Sequence, residues 1–247
     1  MSAAETDHWS ARVDLAAALR WTARLGMDDP GTTHFSLALD TGGRRVLMSP
    51  ARRHFARIRA RDLIELDADD PATMGQPGAP GAGGWGLHGG LHRHCAHARC
   101  AMHVHSVHAT VLACLSDSRL PPIDRTSAAF YNRHVVDEGY GGFALTDAGA
   151  RCARHLQDAR HTVLVMGNHG VLVIGDTVAE TFARLCRFER AAETYIKALH
   201  TGKPLRVLSP EAAEAAAREA EACAGDADHQ LGELRAILDA EASDYAT

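Results

Sequence analysis

Two short apolar runs in the second half of the chain constrain its fold most strongly. Val-Leu-Val-Met at 163–166 and Val-Leu-Val-Ile at 171–174 are separated only by Gly-Asn-His-Gly. Branched apolar residues favour strands, and a connection this short favours pairing between the two strands that it joins. The pattern predicts a tight strand pair with His169 at its turn.

Other segments extend this pair into a sheet with helices. Residues 35–39 and 45–48 flank Thr41-Gly-Gly43, the pattern of a hairpin, and 63–66 add a third strand. Helical periodicity is present at 9–25, 87–97, 107–115 and 177–199. Thr177 and Glu180 form a capping-box pattern, and the Gly- and Pro-rich segment 67–84 is predicted to be a loop. Strands interspersed with helices, with neither GxGxxG nor a P-loop, predict a three-layer α/β domain with a mixed sheet.

The C-terminal part has a different composition. Residues 210–240 are rich in Ala and Glu and have helical character, but contain few large apolar side chains. We therefore expect one main domain over 1–204 and a helical tail over 205–247 that packs on this domain or on a neighbouring subunit.

Composition argues against several classes of protein. A net charge of -5 without a local basic stripe argues against a nucleic-acid partner. No apolar run approaches membrane-spanning length, and the first residues lack the pattern of a signal peptide. The 6 cysteines form no CxxC and are typical of reduced thiols. We expect a soluble cytoplasmic protein.

His103 and His105 lie one residue apart in a segment that is predicted to be a strand. Alternate side chains share a face of a strand, so the two imidazoles point the same way. Such a pair can bind a divalent transition metal. The alternative is two strand histidines that bond to backbone carbonyls. Spacing alone favours this alternative, because the chain has 16 histidines.

The order of several motifs resembles the class II aldolase/adducin family. The matching segments are THFSLAL at 33–39, LMSP at 47–50, IRARDLIELD at 58–67, GWGLHGGLH at 84–92, MHVHSVHAT at 102–110 and the run from MGNHG to YIKAL at 166–199. The resemblance covers about residues 9–200. It implies a three-layer αβα fold with a central mixed, largely antiparallel sheet, and a homotetramer with sites between subunits.

The resemblance also implies a metal centre. On this chain its ligands are His103, His105 and His169, which would bind one divalent ion per subunit: zinc, Fe(II) or manganese. Three imidazoles leave coordination positions open, at which an oxo- or hydroxy-acid can bind and have its carbonyl group polarised.

The chain departs from the sugar-phosphate aldolases of the family at several positions. Their acid/base glutamate corresponds to Gly84, and their phosphate-binding residues correspond to Thr33-His34 and Ala82-Gly83. A phosphorylated sugar is therefore not the expected substrate. Arg125, near the position of a tyrosine that some aldolases supply across the subunit boundary, is a candidate clamp for a substrate carboxylate. In these departures the chain resembles the adducin-like branch of the family, which includes non-haem iron oxygenases of aminocoumarin biosynthesis.

Further histidines are candidates for the site. His88, one helical turn from His92, is predicted to be a fourth ligand or the acid/base that replaces the glutamate. His92 is predicted to bind substrate, and the alternative for both is a role in packing between helices. His34 is a second candidate, as a base or as a residue that binds a substrate carboxylate, and the alternative is a structural histidine at the start of a strand. Tyr131 and His134 resemble the family's second substrate loop and are predicted to bind substrate; the alternative is a solvated loop.

Three other residues are assigned structural roles. Glu189 and Glu193 lie one turn apart near arginines and are predicted to form surface ion pairs. His108 is predicted to begin a helix.

Three functional hypotheses follow from the sequence. The leading one is a metal-dependent lyase that breaks or forms a C–C bond, by aldol cleavage or decarboxylation, in a non-phosphorylated oxo- or hydroxy-acid. The second is an Fe(II)-dependent oxygenase that performs oxidative decarboxylation at the same three histidines. The third is a non-catalytic interaction module, which the retention of all three ligands disfavours.

Overall fold

The computed structural model describes residues 3–29, 31–139 and 147–247. Within these ranges the strands are β1 His34–Ala38, β2 Arg45–Met48, β3 Ile64–Asp67, β4 Cys100–Val104, β5 His134–Asp137, β6 Val163–Met166 and β7 Gly170–Gly175. The α-helices are α1 Ala3–Arg24, α2 Ala82–His94, α3 Val107–Ala113, α4 Arg125–Ala128, α5 Ala148–His155, α6 Val178–His200, α7 Pro210–Ala222 and α8 Ala227–Ala240.

The strands form a single 7-stranded sheet in the order β3-β2-β1-β4-β7-β6-β5. Every neighbouring pair is antiparallel except β5 and β6, which are parallel. The hairpin of β1 with β2 and the tight pair of β6 with β7 are confirmed. The predicted three-layer αβα class with a mixed, largely antiparallel sheet is confirmed as well.

The two faces of the sheet are covered by different helices. Cys100, Met102 and Val104 of β4 join the larger buried cluster with side chains of α1 and α6. Ala101 belongs to the smaller cluster with α2 and α5, and His103 alternates onto this second face. The face that carries His103 is therefore the one that α2 covers.

Three local predictions need correction. The predicted helix 87–97 is α2, which begins at Ala82 and ends at His94, so it includes the last residues of the predicted loop. The rest of that loop contains a short 3-10 helix, whose first turn is capped by the Asp70 carboxylate. At α6, Thr177 accepts from the amide of Glu180, but the Glu180 carboxylate accepts from the amide of Asp176 instead of closing the capping box.

The C-terminal helix α8 packs against α1 and α6. Leu231 and Leu238 are buried in the larger cluster, and the indole Nε1 of Trp21 donates to the carbonyl oxygen of Leu234 over 3.0 Å. The division of the chain at residue 204 stays a prediction.

All six cysteines carry free thiols. Among the residues that the structure describes, no helix combines the length and the apolar character needed to cross a bilayer.

Helices α2 and α5 approach each other through glycines. A Cβ atom added at Gly149 would lie 2.4 Å from the carbonyl oxygen of Leu87 and 2.4 Å from the amide nitrogen of Leu91. These are backbone atoms that cannot rotate away, so the crossing requires glycine. This contact fixes α2 over the sheet and with it the histidines that α2 carries.

We expect Gly149→Ala to lower the free energy of unfolding by about 1–3 kcal/mol, because the methyl group forces the two helices apart. Gly232→Ala in α8 is the matched control, since an added Cβ there meets nothing within 4 Å. The control should stabilise the protein by about 0.5–1 kcal/mol through helix propensity. Urea unfolding of both variants measures the difference, and an unchanged midpoint for Gly149→Ala would refute the close crossing.

Candidate metal centre

Pairing of β4 with its two neighbours positions the first histidine of the site. His103 lies opposite His34 of β1 and opposite Leu172 of β7. The rings of His103 and His34 are 5.1 Å apart between centroids. His105 lies just beyond the end of β4, on the same side as His103.

The turn between β6 and β7 brings the third histidine to the same place. Asn168 adopts a left-handed conformation with φ of 56°, which asparagine tolerates better than most residues. A Cβ at Gly170 would lie 2.5 Å from the carbonyl oxygen of Val104 and 2.7 Å from Cδ2 of His105. Gly170 is therefore required for the turn to approach the end of β4, and it brings His169 next to the other two histidines.

The three predicted ligands converge. One ring nitrogen from each of His103, His105 and His169 lies within 4.8 Å of the others. The Nε2 atoms of His103 and His105 are 3.0 Å apart. Two nitrogens that each lie about 2.0–2.1 Å from a common ion can have this separation.

Hydrogen bonds at the opposite ring nitrogens show which atoms carry lone pairs. Nδ1 of His103 donates to the carbonyl oxygen of Val171 over 3.1 Å. Nδ1 of His105 lies 3.3 Å from the Asp29 carboxylate and 3.1 Å from the Thr32 hydroxyl. In neutral rings both Nε2 atoms then carry lone pairs, which repel each other unless a cation lies between them. This donor set fits a divalent metal, and the carboxylate on His105 is the type of contact that orients metal-binding imidazoles.

Burial favours the neutral state that metal binding requires. It lowers the pKa of His103 well below its usual value and also lowers the pKa of His169. In each case desolvation is the largest cause, and repulsion from neighbouring imidazoles adds to it. Neutral imidazole is the form that binds a transition metal.

The three histidines line a cavity of about 150 Å³. Its other lining residues are Thr32, His34, Gly83, Gly84, Leu87, Ala148 and Met166. Among the described lining residues there is no carboxylate, lysine or arginine. A second cavity of about 120 Å³ shares His34 and Gly84 with the first and is reached by Arg52 and Arg53.

The ring of His34 lies against Gly84, in space that a side chain at position 84 would need. A Cβ atom at Gly84 would be 3.2 Å from Cδ2 and 3.3 Å from Nε2 of His34. A larger side chain at this position would have to displace the imidazole. The ring of His34 therefore fills the space beside Gly84.

His88 and His92 have different surroundings from those predicted. Both are buried, and both use their two ring nitrogens inside the fold. His88 contacts His34 and the Ser36 hydroxyl, while His92 contacts Ser36 and the carbonyl oxygen of Ala98. The geometry does not support direct ligation or catalysis by His88, nor substrate binding by His92, because neither has a free nitrogen.

Arg125 and the two candidates on the second substrate loop, Tyr131 and His134, do not line the metal cavity. Arg125 has an 88% exposed side chain and lies 4.0 Å from Glu219. Tyr131 lies in the turn after α4. His134 accepts from the amide of Leu120 and donates to the carbonyl oxygen of Phe130, so its predicted substrate contact has no free nitrogen. The roles of Arg125 and Tyr131 stay predictions.

The surface ion pairs predicted for α6 are correct for only one glutamate. Glu193 pairs with Lys197, but Glu189 points inward to the start of α3. Its carboxylate accepts from the Ser106 hydroxyl over 2.6 Å and from the amides of His108 and Ala109, both over 3.0 Å. Nδ1 of His108 is a further contact, at 2.9 Å. Glu189 therefore fixes the segment that follows His105.

Sequence reasoning missed four residues that support the site: Asp29, Thr32, Ser36 and Glu189. The acidic and hydroxyl side chains of Asp29 and Thr32 lie in a breaker-rich segment with no periodicity. Side chains alternate between the two faces of β1, so Ser36 lies on the same face as His34. This alternation was the one sequence signal that could have indicated Ser36.

Comparison with known proteins agrees with this geometry. The family described as Class II Aldolase and Adducin N-terminal domain matches residues 13–196. The chain therefore belongs to the class II aldolase and adducin family.

Three relatives illustrate the range of the family. A Pseudomonas aeruginosa protein named as an aldolase class 2 protein is 30% identical over 206 residues, which cover 83% of this chain and 76% of that protein. The 4-hydroxy-3-prenylphenylpyruvate oxygenase/4-hydroxy-3-prenylbenzoate synthase of Streptomyces roseochromogenus is 28% identical, over 66% of this chain and 58% of its own length. Decarboxylase NovR of Streptomyces niveus is 26% identical, over 76% of this chain and 70% of its own length.

Solved structures have the same fold. An aldolase II superfamily protein from Pseudomonas syringae superposes with a TM-score of 0.86 at 26% identity, covering 100% of this chain and 98% of that one. An L-fuculose 1-phosphate aldolase from Glaciozyma antarctica superposes with a TM-score of 0.81 at 18% identity, covering 99% of this chain and 95% of that one. The second likeness concerns the fold alone.

We expect Glu189→Ala to lower the free energy of unfolding by about 2–3 kcal/mol, because several donors at the start of α3 lose a charged acceptor. Glu193→Ala, one turn away on α6, removes only an exposed pair and should change stability by about 0.5 kcal/mol or less. Urea unfolding of the two variants compares them directly. Equal losses would contradict the inward role of Glu189.

Proposed function

We propose that this protein is a metal-dependent lyase that breaks or forms a C–C bond beside a carbonyl group in a small, non-phosphorylated oxo- or hydroxy-acid. One observation carries the proposal: His34 shares a small cavity with the nitrogens of the three proposed ligands, His103, His105 and His169. A divalent ion bound there supplies a Lewis acid that polarises the substrate carbonyl. Zinc, manganese and Fe(II) all accept imidazole ligands.

In this proposal His34 takes over proton transfer from the glutamate that position 84 lacks. In aldol cleavage of a hydroxy-acid, Nε2 of His34 accepts the proton of the substrate hydroxyl. The electron pair of the broken C–C bond moves to the carbon beside the carbonyl. That carbon then takes the proton from His34, so atoms and electrons balance without an oxidant. In decarboxylation CO₂ leaves, the electron pair of the broken bond stays on the carbon beside the carbonyl, and that carbon takes a proton that His34 relays from solvent.

The lining of the cavity supports a small, non-phosphorylated substrate. Leu87, Ala148 and Met166 give it an apolar wall, and about 150 Å³ suits a substrate of a few carbon atoms. No described lysine or arginine lines it to neutralise a phosphate. Arg53, which reaches the neighbouring cavity, is paired with Asp62 over 2.9 Å.

A second candidate is an Fe(II)-dependent oxygenase that acts on 2-oxo acids. The names of two relatives, an oxygenase acting on a prenylphenylpyruvate and a decarboxylase, favour it. In a balanced form of this reaction, R–CH₂–CO–COOH and O₂ give R–CH(OH)–COOH and CO₂. The lyase consumes no O₂, so oxygen uptake separates the two candidates.

The proposal also includes a cytoplasmic location and a homotetramer, both carried over from the sequence. Arg125 is exposed and lies outside the metal cavity of its own chain. If it clamps a substrate carboxylate, we expect it to do so at the site of a neighbouring subunit.

Elemental analysis of anaerobically purified protein, followed by assays with aryl and aliphatic 2-oxo and hydroxy acids, tests the function. The lyase proposal predicts zinc or manganese and product formation without O₂. It also predicts that sugar phosphates are not turned over. Iron together with substrate-dependent O₂ uptake would overturn the lyase in favour of the oxygenase.

Two histidine variants test the ligand set in the same preparation. His103→Ala should lose both the bound ion and the activity, because it removes one of three ligands. His94→Ala, an exposed histidine at the end of α2, should keep both. Full retention of metal in His103→Ala would show that the ligand assignment is wrong.

A further inference from the structure

A row of polar side chains runs from the metal cavity into the layer between the sheet and α2. Nδ1 of His34 lies 2.8 Å from Nε2 of His88. Nδ1 of His88 contacts the Ser36 hydroxyl, which lies 2.7 Å from Nε2 of His92. Nδ1 of His92 lies 2.5 Å from the carbonyl oxygen of Ala98. Ser36, His88 and His92 are all buried.

The end of this row fixes the direction of its hydrogen bonds. The carbonyl oxygen of Ala98 can only accept, so His92 must carry a proton on Nδ1. In a neutral His92 the other nitrogen, Nε2, then accepts from the Ser36 hydroxyl. The single proton of that hydroxyl is thereby used.

The direction continues to the cavity. Because Ser36 has donated its proton to His92, its oxygen must accept from Nδ1 of His88. A neutral His88 then accepts at Nε2 from Nδ1 of His34. His34 is left with a lone pair on Nε2, beside Gly84.

The neutral state of these rings follows from their surroundings. Burial lowers the pKa of His92 to about 4 and the pKa of His88 well below its usual value. None of the hydrogen bonds in the row involves a carboxylate that would stabilise a charged ring.

We propose that Ser36, His88 and His92 are positioning residues that hold His34 in one tautomer, with the lone pair of Nε2 presented to the metal cavity. This inference rests on the proposed function for its catalytic meaning, since His34 is the base of that proposal. A histidine that alternates between tautomers is ready to accept a proton at Nε2 only part of the time. The row removes this alternation and fixes the ring orientation.

In this proposal the three histidines of the row have different roles. His34 is the only one of the row that lines the cavity, so it alone exchanges a proton with substrate. His88 and His92 act through His34. Their contribution is to orientation, and their substitution should affect kcat more than the content of metal.

Nuclear magnetic resonance of the full chain, loaded with diamagnetic zinc and labelled with ¹⁵N in its histidines, reads the tautomers directly. The inference predicts an N–H signal for Nδ1 and a lone-pair signal for Nε2 in both His34 and His88. The loss of signals in His34→Gln and His88→Gln assigns the two rings. A proton on Nε2 of His34, or a mixture of tautomers in the unsubstituted protein, would overturn the inference.

Ser36→Ala tests the row by interrupting it between His88 and His92. His34 should then show both tautomers, metal content should stay unchanged, and kcat should fall by about 10- to 100-fold. Ser36→Thr keeps the hydroxyl and should retain the single tautomer. Ser118→Ala, a buried serine outside the row, is the control.

The two readouts separate this inference from the proposed function. The tautomer of His34 is measured without turnover. If Ser36→Ala does not fold, the spectrum of the unsubstituted protein still tests the predicted tautomer. A fixed tautomer without lyase activity would leave the row intact and reject the lyase. An unchanged His34 spectrum in folded Ser36→Ala would reject the row whatever the activity.

Discussion

The register of β4 against β1 and β7 is the constraint on which the site depends. It places His103 opposite His34 on one side and opposite Leu172 on the other, on the face that α2 covers. A shift of one residue would turn His103 into the larger apolar cluster and turn Met102 and Val104 towards α2 instead. The close approach of Gly170 to the end of β4 then places His169, the third imidazole, beside the other two. The fold and the candidate metal centre therefore depend on the same strand pairings.

Much of this arrangement could be predicted from the sequence because its signals are local. Apolar runs with short turns indicated the strand pairs, and alternation placed His103 and His105 on one side. The family resemblance, which the match over residues 13–196 confirms, was needed to bring His169 into the same site. Residue spacing cannot show whether two side chains about sixty residues apart in sequence lie close together in the fold. The convergence of the three ring nitrogens was therefore expected from the resemblance rather than from periodicity.

The remaining features depend on tertiary contacts that leave little trace in a single sequence. His88 and His92 have helical spacing, but only the packing of α2 on β1 shows that both ring nitrogens of each are occupied. Glu189 has the spacing of a surface residue, and its inward direction depends on where α3 begins. Gly84 and His34 are fifty residues apart in the chain, so the space that one leaves for the other is visible only in the fold.

The central claim is that three imidazoles hold one transition-metal ion in this cavity. X-ray diffraction from metal-loaded crystals, with data collected on both sides of the absorption edge of the metal, tests it most directly. The account predicts one anomalous peak per subunit, about 2.0–2.2 Å from ring nitrogens of His103, His105 and His169, with Nε2 as the ligand atom in the first two. A fully loaded crystal with its peak elsewhere, or with coordination through Nδ1 of His103, would contradict it.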